Sequence, residues 1–400
     1  MSKWIKYEID SNTLEFRYES DSNNQNFSDE TDSNIPKTKL EEIIKVPRLI
    51  GNRFEVYDIL SKGGFGVILK AKNKVLKNRE VLIKTSIYND IKQELIHKYD
   101  VTREDTINQR RNDLRNEYQR LIMFRNGGES RMPSVIDVIE DYSPQLYGPH
   151  IDETTGEEFY LEEFKDNEVY LVMQNIDGIN LGDYLSKGID NILKERNYKT
   201  ILFWEVAVLE YIKEVVNIFT TFHRKKYKGE DYFYFIYQDL KPDNIMLTYD
   251  KFITLIDFGG ILMVGNIDGE TYSNFENAGI PGCGTFGYMP REMCESEELK
   301  RLDNRADIYT IGATMYSLLS AKNPLDDVKG STQRIPVDKL VDMGYTQETI
   351  EVIRKATNID KYERYKSIES LQKEIIRCLG NANRQINKIQ SFKKEIEYAR

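Results

Sequence analysis

Apolar positions along the chain follow two different patterns. From Phe54 onward, short runs rich in Val, Ile and Tyr, such as FEVYDIL at 54–60 and EVLIKTSIY at 80–88, predict β-strands. After Gly178, longer segments such as 203–223 have apolar residues at helical spacing and predict α-helices. A strand-rich first part followed by a helix-rich second part predicts an α+β protein with two lobes.

Both ends of the chain differ from this central region. Residues 1–50 are predicted to form an N-terminal extension that is partly disordered, because the segment 19–39 is mainly Ser, Asn, Asp, Glu and Thr. Ahead of that segment, 1–18 shows only a weak strand-like alternation. At the other end, 381–400 has apolar positions at helical spacing and predicts a tail helix.

Composition and charge narrow the class of protein. An apolar fraction of 40% fits a globular chain, and the net charge of −10 argues against a nucleic-acid partner, because binding phosphates needs a surplus of Lys and Arg. Three cysteines without a pattern suit a reducing cytosol better than a disulfide framework. The N-terminus lacks the apolar core of a signal peptide, and no apolar run is long enough to cross a membrane. We therefore expect a soluble, cytoplasmic protein without membrane insertion.

A glycine-rich segment, LSKGGFGVI at 60–68, lies between two predicted strands. Gly63, Gly64 and Gly66 allow the backbone to approach a phosphate closely, with N–H groups of the turn facing it. Taken alone, this pattern is more typical of an ordinary hairpin, because glycine-rich hairpins are common.

A lysine and a glutamate give the glycine-rich segment a chemical context. Lys84 ends the predicted strand VLIK at 81–84. An ammonium group on a strand beside a phosphate cradle can pair with nucleotide phosphates, provided that a carboxylate orients it. The charged segment 90–125 has a helical period and offers Glu117 as that carboxylate.

The strongest local signal is YQDLKPDN at 237–244. Asp239 would accept the hydrogen bond and then the proton of a substrate hydroxyl, and Lys241 could neutralise the charge of a transferring phosphate. Asn244 offers an amide oxygen to a metal, and Asp257 of the later tripeptide DFG follows directly after an apolar strand. Mg²⁺ prefers a few oxygen ligands together with phosphates and water. The tripeptide alone would indicate a turn, whereas both motifs together predict phosphoryl transfer with Mg²⁺.

These motifs resemble the signature set of the eukaryotic-like protein kinase superfamily, in the style of its bacterial serine/threonine members. The resemblance implies a kinase domain over 51–380, with a β-rich N-lobe at 51–173, a hinge at 174–178 and a helical C-lobe at 179–380. It further implies that ATP binds with Mg²⁺ in the cleft between the lobes.

The resemblance also implies which residues bind the nucleotide. Met173 would be the gatekeeper, and backbone groups of Gln174 and Ile176 would form hydrogen bonds to adenine. The adenine ring would be sandwiched by Ile68, Leu82 and Met246. The loop over the phosphates would consist of Leu60, Ser61, Lys62, Gly63, Gly64, Phe65 and Gly66, with Lys84 beside it.

In the C-lobe, the segment GTFGYMPRE at 284–292 resembles the end of an activation segment. The same resemblance implies that Asp307 braces the catalytic loop. It also implies that Arg364 forms a buried ion pair with Glu292.

Several positions depart from the family pattern. Ser61 stands where the first loop glycine is usual, Leu82 replaces an alanine over adenine, Tyr237 replaces a histidine, and 290–291 is Pro-Arg in place of Ala-Pro. Gln238 replaces the arginine that pairs with a phosphorylated activation loop, so we expect activity not to depend on phosphorylation of that loop. None of these changes removes a catalytic group.

Lys241 and Thr285 are similar to the serine/threonine-specific pattern, so the expected partner is a protein substrate with an acceptor Ser or Thr. The sequence identifies neither that substrate nor the oligomeric state. One alternative is an inactive pseudokinase scaffold, which would lack at least one of four groups that are all present here: Lys84, Asp239, Asn244 and Asp257. Another is a small-molecule phosphotransferase of the same fold, which would usually lack the segment found at 284–292.

Overall fold

The protein is represented by a computed structural model. The residues that the structure describes are 3–19, 43–63, 66–87, 103–144, 149–151, 158–160, 168–186, 197–267, 270–272, 282–299, 301–327 and 334–398. The chain divides into two compact units. Unit 1 comprises 1–119 and 134–175, and unit 2 comprises 120–133 and 176–400. Strands dominate the described part of unit 1 and helices that of unit 2, so the predicted α+β class is confirmed.

Unit 1 contains a three-stranded and a six-stranded antiparallel sheet. The smaller sheet consists of β1 (Lys3–Glu8), β2 (Thr13–Glu19) and β3 (Ile43–Pro47). The strands of the larger sheet, in chain order, are β4 (Leu49–Ile50), β5 (Phe54–Gly63), β6 (Gly66–Asn73), β7 (Arg79–Thr85), β8 (Val135–Asp141) and β11 (Glu168–Gln174). Between β8 and β11 lies a short hairpin of β9 (Pro149–Ile151) and β10 (Glu158–Tyr160).

The two faces of the six-stranded sheet differ because side chains alternate along each strand. One face contributes Val67, Leu69 and Ile83 to an apolar cluster that is almost completely buried. That cluster also includes Leu14 and Phe16 of β2, so residues of the predicted N-terminal extension share the core of unit 1. The predicted domain boundary near residue 50 stays a prediction, although the core includes side chains from both sides of it.

One long helix, α1 (Arg103–Asn126), follows β7 in the described chain. Its buried positions include Ile107, Arg111, Leu114, Glu117 and Leu121, which recur every three to four residues along one face. Three of these five are apolar and two are charged, so the face that carries Glu117 combines hydrophobic packing with buried charge.

Among the described helices of unit 2, α5 (Arg305–Ser320) belongs to the core, because every residue from 306 to 320 is buried. The others, in chain order, are α2 (Leu181–Tyr184), α3 (Tyr198–Phe222), α4 (Ser296–Leu299), α6 (Lys339–Asp342), α7 (Gln347–Ala356) and α8 (Ile368–Tyr398). Residues 381–398 of the predicted tail helix form the second half of α8, which begins at Ile368, and the predicted boundary at 381 stays a prediction. Short 3₁₀ turns lie at Pro242–Asn244, Arg291–Met293, Pro324–Asp327 and Lys361–Glu363.

Two small antiparallel sheets support the motifs of unit 2. One consists of β12 (Gly178–Asn180), β15 (Ile245–Thr248) and β16 (Ile253–Leu255). The other consists of β13 (Lys226–Lys228), β14 (Asp231–Ile236), β17 (Leu262–Ile267) and β18 (Glu270–Tyr272). The YQDLKPDN motif therefore lies between β14 and β15, and the DFG tripeptide between β16 and β17. Within the described residues, no helix is both long and apolar enough to span a membrane.

Candidate active site

Lys84 and Glu117 form a buried ion pair within unit 1. Lys84 Nζ lies 2.9 Å from Glu117 Oε2 and 3.2 Å from Oε1, and the two residues are only 8% and 2% exposed. Lys84 is held on β7, which is paired with β6 on one side and β11 on the other. The described helix α1 places Glu117 on its buried face, as expected for the partner of Lys84.

The face of the six-stranded sheet that carries Lys84 also carries apolar side chains. Ile68 is the register partner of Lys84, and Met173 is the register partner of Leu82. By strand alternation, these residues lie on the face opposite the apolar cluster. The sheet therefore brings two of the expected adenine contacts, Ile68 and Leu82, and the expected gatekeeper Met173 to the same face as the ammonium group.

The glycine-rich segment is a hairpin in which Gly63 pairs with Gly66. Gly64 and Phe65, both expected to cover the phosphates, lie outside the described residues. A Cβ atom at Gly66 would clash with the carbonyl oxygen of Thr85, so this position requires glycine. Before the turn, Leu60 and Ser61 are exposed, while Lys62 is half-buried.

Asp239 lies at the centre of a hydrogen-bond network in unit 2. Thr285 Oγ1 donates to Asp239 Oδ1 at 2.6 Å, and Lys241 Nζ donates to both Asp239 Oδ2 (3.1 Å) and Thr285 Oγ1 (2.7 Å). Asn244 Nδ2 donates to Asp239 Oδ2 at 3.1 Å and to the Asp239 backbone oxygen at 2.7 Å. These donors hold the carboxylate in one orientation. The network joins the YQDLKPDN motif to the segment 284–292, since Asp239 and Thr285 are 46 positions apart in the chain.

Helix α5 fixes the loop that carries Asp239. Asp307 is fully buried, and its carboxylate accepts hydrogen bonds from the backbone N–H groups of Tyr237 and Gln238 at 2.9 Å. Asp307 thus braces the loop, as the family resemblance implies. His223 Nε2 lies 2.8 Å from the same carboxylate. Sequence reasoning missed His223, because a single histidine at the end of an apolar helix carries no signal of its own.

Asn244 and Asp257 lie at the same end of the β15–β16 hairpin. Ile245 pairs with Leu255, and Ile256 N–H donates to the Asn244 carbonyl oxygen at 3.0 Å, so Asp257 follows directly after the pairing. Because the Asn244 amide nitrogen donates to Asp239, its amide oxygen is the atom available to a cation. Asp257 has an exposed side chain and a left-handed backbone, with φ of 63°. Oxygen atoms of an amide and a carboxylate fit the ligand preference of Mg²⁺.

The remaining predicted nucleotide contacts lie in separate parts of the chain. Gln174 N–H donates to the Ser134 carbonyl oxygen at 2.8 Å, within unit 1. Ile176 is the first residue of unit 2 after the chain leaves unit 1. Met246 lies on β15, where it pairs with Asn180 and is partly buried.

Glu292 and Arg364 form the expected buried ion pair of unit 2. Arg364 Nη2 lies 3.0 Å from Glu292 Oε2, and Arg364 Nη1 contacts Oε1 at 2.5 Å. The guanidinium also donates to the backbone oxygens of Arg305, Asn358 and Ile359. This pair ties the end of the 284–292 segment to the helical core.

Comparison with known proteins matches the chain to one family. The family model described as protein kinase domain matches residues 54–386. The chain is 25% identical over 340 residues to a probable serine/threonine-protein kinase of Streptomyces coelicolor, covering 83% of this chain and 41% of that protein. It is 24% identical over 347 residues to serine/threonine-protein kinase B of Synechocystis, covering 84% and 49%.

A eukaryotic protein is similar over a shorter stretch. A serine/threonine-protein kinase of Schizosaccharomyces pombe is 24% identical over 217 residues, covering 52% of this chain and 41% of that protein. The chain spans less than half the length of each of these three relatives.

Proposed function

This chain belongs to the protein kinase family, and from that premise we propose that it transfers the γ-phosphoryl group of ATP to serine and threonine hydroxyls of a protein. The observation that carries the proposal is the network around Asp239, in which Thr285, Lys241 and Asn244 all donate to one carboxylate. The Lys84–Glu117 pair of unit 1 supports the proposal from the nucleotide side.

On the acceptor side, the substrate hydroxyl would donate a hydrogen bond to the Asp239 carboxylate. Its oxygen attacks the γ-phosphorus, the bond from that phosphorus to the bridging oxygen breaks, and ADP departs with the electron pair of that bond. The hydroxyl proton passes to Asp239. Lys241, already beside Asp239, would stabilise the negative charge on the transferring group.

On the nucleotide side, Lys84 would contact the α- and β-phosphates, with Glu117 fixing the position of its ammonium group. The apolar side chains of Ile68, Leu82 and Met246 would contact adenine, with Met173 as the gatekeeper. Leu82 is larger than the alanine usual at this position, so the adenine contact should be tighter.

The donor set in unit 2 fits a magnesium ion. Asp257 and Asn244 would hold it through their side-chain oxygens, and when bound it supplies positive charge that neutralises the phosphates. Asn244 would thereby have two functions, because its amide nitrogen also orients Asp239.

The preference for serine and threonine is supported by the Lys241–Thr285–Asp239 contacts and by the names of the relatives. A cytoplasmic location is supported by the sequence, because three cysteines in 400 residues, spaced without a pattern, suit a reducing compartment. The proposed substrate is a protein that carries an acceptor serine or threonine hydroxyl.

The test is incubation of the purified chain with γ-labelled ATP, Mg²⁺ and a generic protein acceptor, followed by identification of the labelled amino acids. We expect label on phosphoserine and phosphothreonine. Binding of ATP without transfer would favour the pseudokinase scaffold. Label on an aminoglycoside or choline but on no protein would favour the small-molecule phosphotransferase.

A further inference from the structure

Gln238 uses its side-chain amide to join two distant backbone segments. The residue is fully buried. Its Nε2 donates to the Gly260 carbonyl oxygen at 2.5 Å, and its Oε1 accepts a hydrogen bond from Gly282 N–H at 2.9 Å. Gly260 and Gly282 are 22 and 44 positions further along the chain than Gln238, respectively. One neutral amide thus bonds both ends of the segment that follows the DFG tripeptide.

The residues around this amide are closely packed. A Cβ atom at Gly260 would lie 3.5 Å from the Cys283 carbonyl oxygen, and one at Gly284 would lie 3.3 Å from the Gln238 carbonyl oxygen. Thr285, the hydroxyl donor to Asp239, follows directly after Gly284. The amide bridge therefore lies three residues from the group that orients the Asp239 carboxylate.

The backbone of Gln238 is strained in a way that fixes this bridge. Its φ of 69° is in the left-handed region, which is unfavourable for a residue with a side chain. Asp307 stabilises this backbone conformation, because its Oδ1 accepts a hydrogen bond from Gln238 N–H at 2.9 Å. Because both the backbone and the amide are anchored, the side chain has one defined direction.

The chain just after Gly260 has a second anchor of a different kind. Strand β17 pairs antiparallel with β14. Leu262 pairs with Ile236 at one end, and Asn266 pairs with Tyr232 at the other. Backbone hydrogen bonds therefore hold the start of the segment, and the Gln238 amide connects that start to its end at Gly282.

We propose that Gln238 is a positioning residue for the acceptor site: it bonds Gly260 to Gly282 and thereby holds Thr285 against Asp239. This inference rests on the proposed kinase activity. It assigns to a neutral amide the ordering that an arginine–phosphate pair provides when the arginine is present. The bridge needs no modification, because all of its donors and acceptors belong to the unmodified chain.

The test compares Gln238→Met, which removes both hydrogen bonds at similar volume, with Gln238→Glu, which keeps the acceptor for Gly282 N–H. The matched control is Gln347→Met on the exposed surface of α7. The measurements are steady-state kinetics with a protein acceptor and hydrogen exchange of the backbone amides at 282–285.

For Gln238→Met we expect kcat/KM for the protein acceptor to fall about thirtyfold, the scale of two lost hydrogen bonds, while KM for ATP changes less than about twofold. Amide exchange at 282–285 should become faster. Gln238→Glu should lose activity, but the Gly282 backbone amide should stay protected from hydrogen exchange. If Gln238→Met does not fold, Gln238→Glu serves as the test.

Unchanged activity in folded Gln238→Met or in Gln238→Glu, with the wild-type chain active, would overturn the inference. So would unchanged amide exchange in folded Gln238→Met. An inactive wild-type chain would instead contradict the proposed function, so the two failures are distinguishable.

Discussion

At the scale of single residues, the Lys84–Glu117 pair is the clearest case of a costly arrangement that function explains. Both groups are almost completely desolvated. Burying two charges gains little net stability, whereas removing one partner leaves the other uncompensated. The pair is therefore expected to add little to the stability of the fold. Its effect is to hold the Lys84 ammonium group in one position.

The two partners should differ in their effect on activity. Lys84→Met removes the charge that would face the phosphates, so we expect kcat to fall at least about a hundredfold. Glu117→Gln removes only the group that orients Lys84, so measurable activity should remain. The control is Arg115→Met on the same helix, which breaks a half-exposed pair with Glu140 of β8 and should change kcat less than about twofold. Equal losses in Lys84→Met and Glu117→Gln would contradict the assigned division of roles.

A buried carboxyl away from the site gives a prediction about pH. Glu205 is fully buried and accepts hydrogen bonds from the backbone N–H and hydroxyl of Thr346. Burial raises the pKa of Glu205 above its usual 4.5, with a smaller contribution from the charge of Glu348, although the bonds from Thr346 and Thr349 oppose the shift. The folded state therefore binds a proton more tightly than the unfolded state.

Because the folded-state pKa is raised, the contribution of Glu205 to stability is largest below pH 4.5 and declines as pH rises through the folded-state pKa. Glu205→Gln keeps the shape and does not titrate. The unfolding free energy of this variant relative to wild type should therefore increase as pH rises above the usual glutamate pKa of 4.5 and through the raised folded-state pKa of Glu205. Denaturant unfolding at several pH values measures it, and a difference that does not vary with pH would contradict the account.

At the scale of elements, the hairpin of β17 and β18 bears on regulation. Thr271 and Tyr272, two hydroxyl residues of the expected activation loop, lie in β18 and pair with Asn266 and Gly265. The third, Ser273, lies outside the described residues. Backbone pairing and the Gln238 amide anchor this segment, and the neutral amide would gain much less from a phosphate than an arginine would.

We therefore expect activity to be independent of phosphorylation in this segment. Treatment with phosphatase, or the triple change Thr271→Ala, Tyr272→Phe and Ser273→Ala, should alter kcat less than about threefold. A hundredfold fall, equivalent to about 3 kcal/mol in barrier height, would show that a phosphate is needed after all. The unmutated chain without phosphatase treatment is the reference.

At the scale of the whole molecule, the change from a strand-rich to a helix-rich region was predictable, because strands and helices have different apolar periods. Five strands of the six-stranded sheet and the helix with Glu117 follow from such local patterns, whereas β4 and the small sheets of unit 2 were not predicted. The packing of β2 with the core of unit 1 was not predictable, since the alternation of Leu14, Phe16 and Tyr18 indicates a strand but not what it packs against. Burial of these residues depends on contacts with residues distant in the chain, which a local pattern does not contain.

The candidate site was predictable to a similar extent. Asp239, Asn244 and Asp257 belong to contiguous motifs whose chemistry can be read from neighbouring residues. The bridge from Gln238 to Gly282 was not, because it joins residues 44 positions apart and a local motif does not contain such a contact. The sequence indicated only that Gln238 replaces the usual arginine. It did not indicate that the Gln238 amide forms two hydrogen bonds in place of the arginine's ion pair.

The central claim is that this chain transfers phosphate through Asp239, and the most direct measurement is the turnover of Asp239→Asn beside its affinity for ATP. We expect kcat to fall about a thousandfold, the range of a lost general base, while the Kd for ATP changes less than about twofold. Asp243→Asn makes the same chemical change at an exposed position of the same loop and should retain activity. Turnover of Asp239→Asn close to wild type would contradict the account.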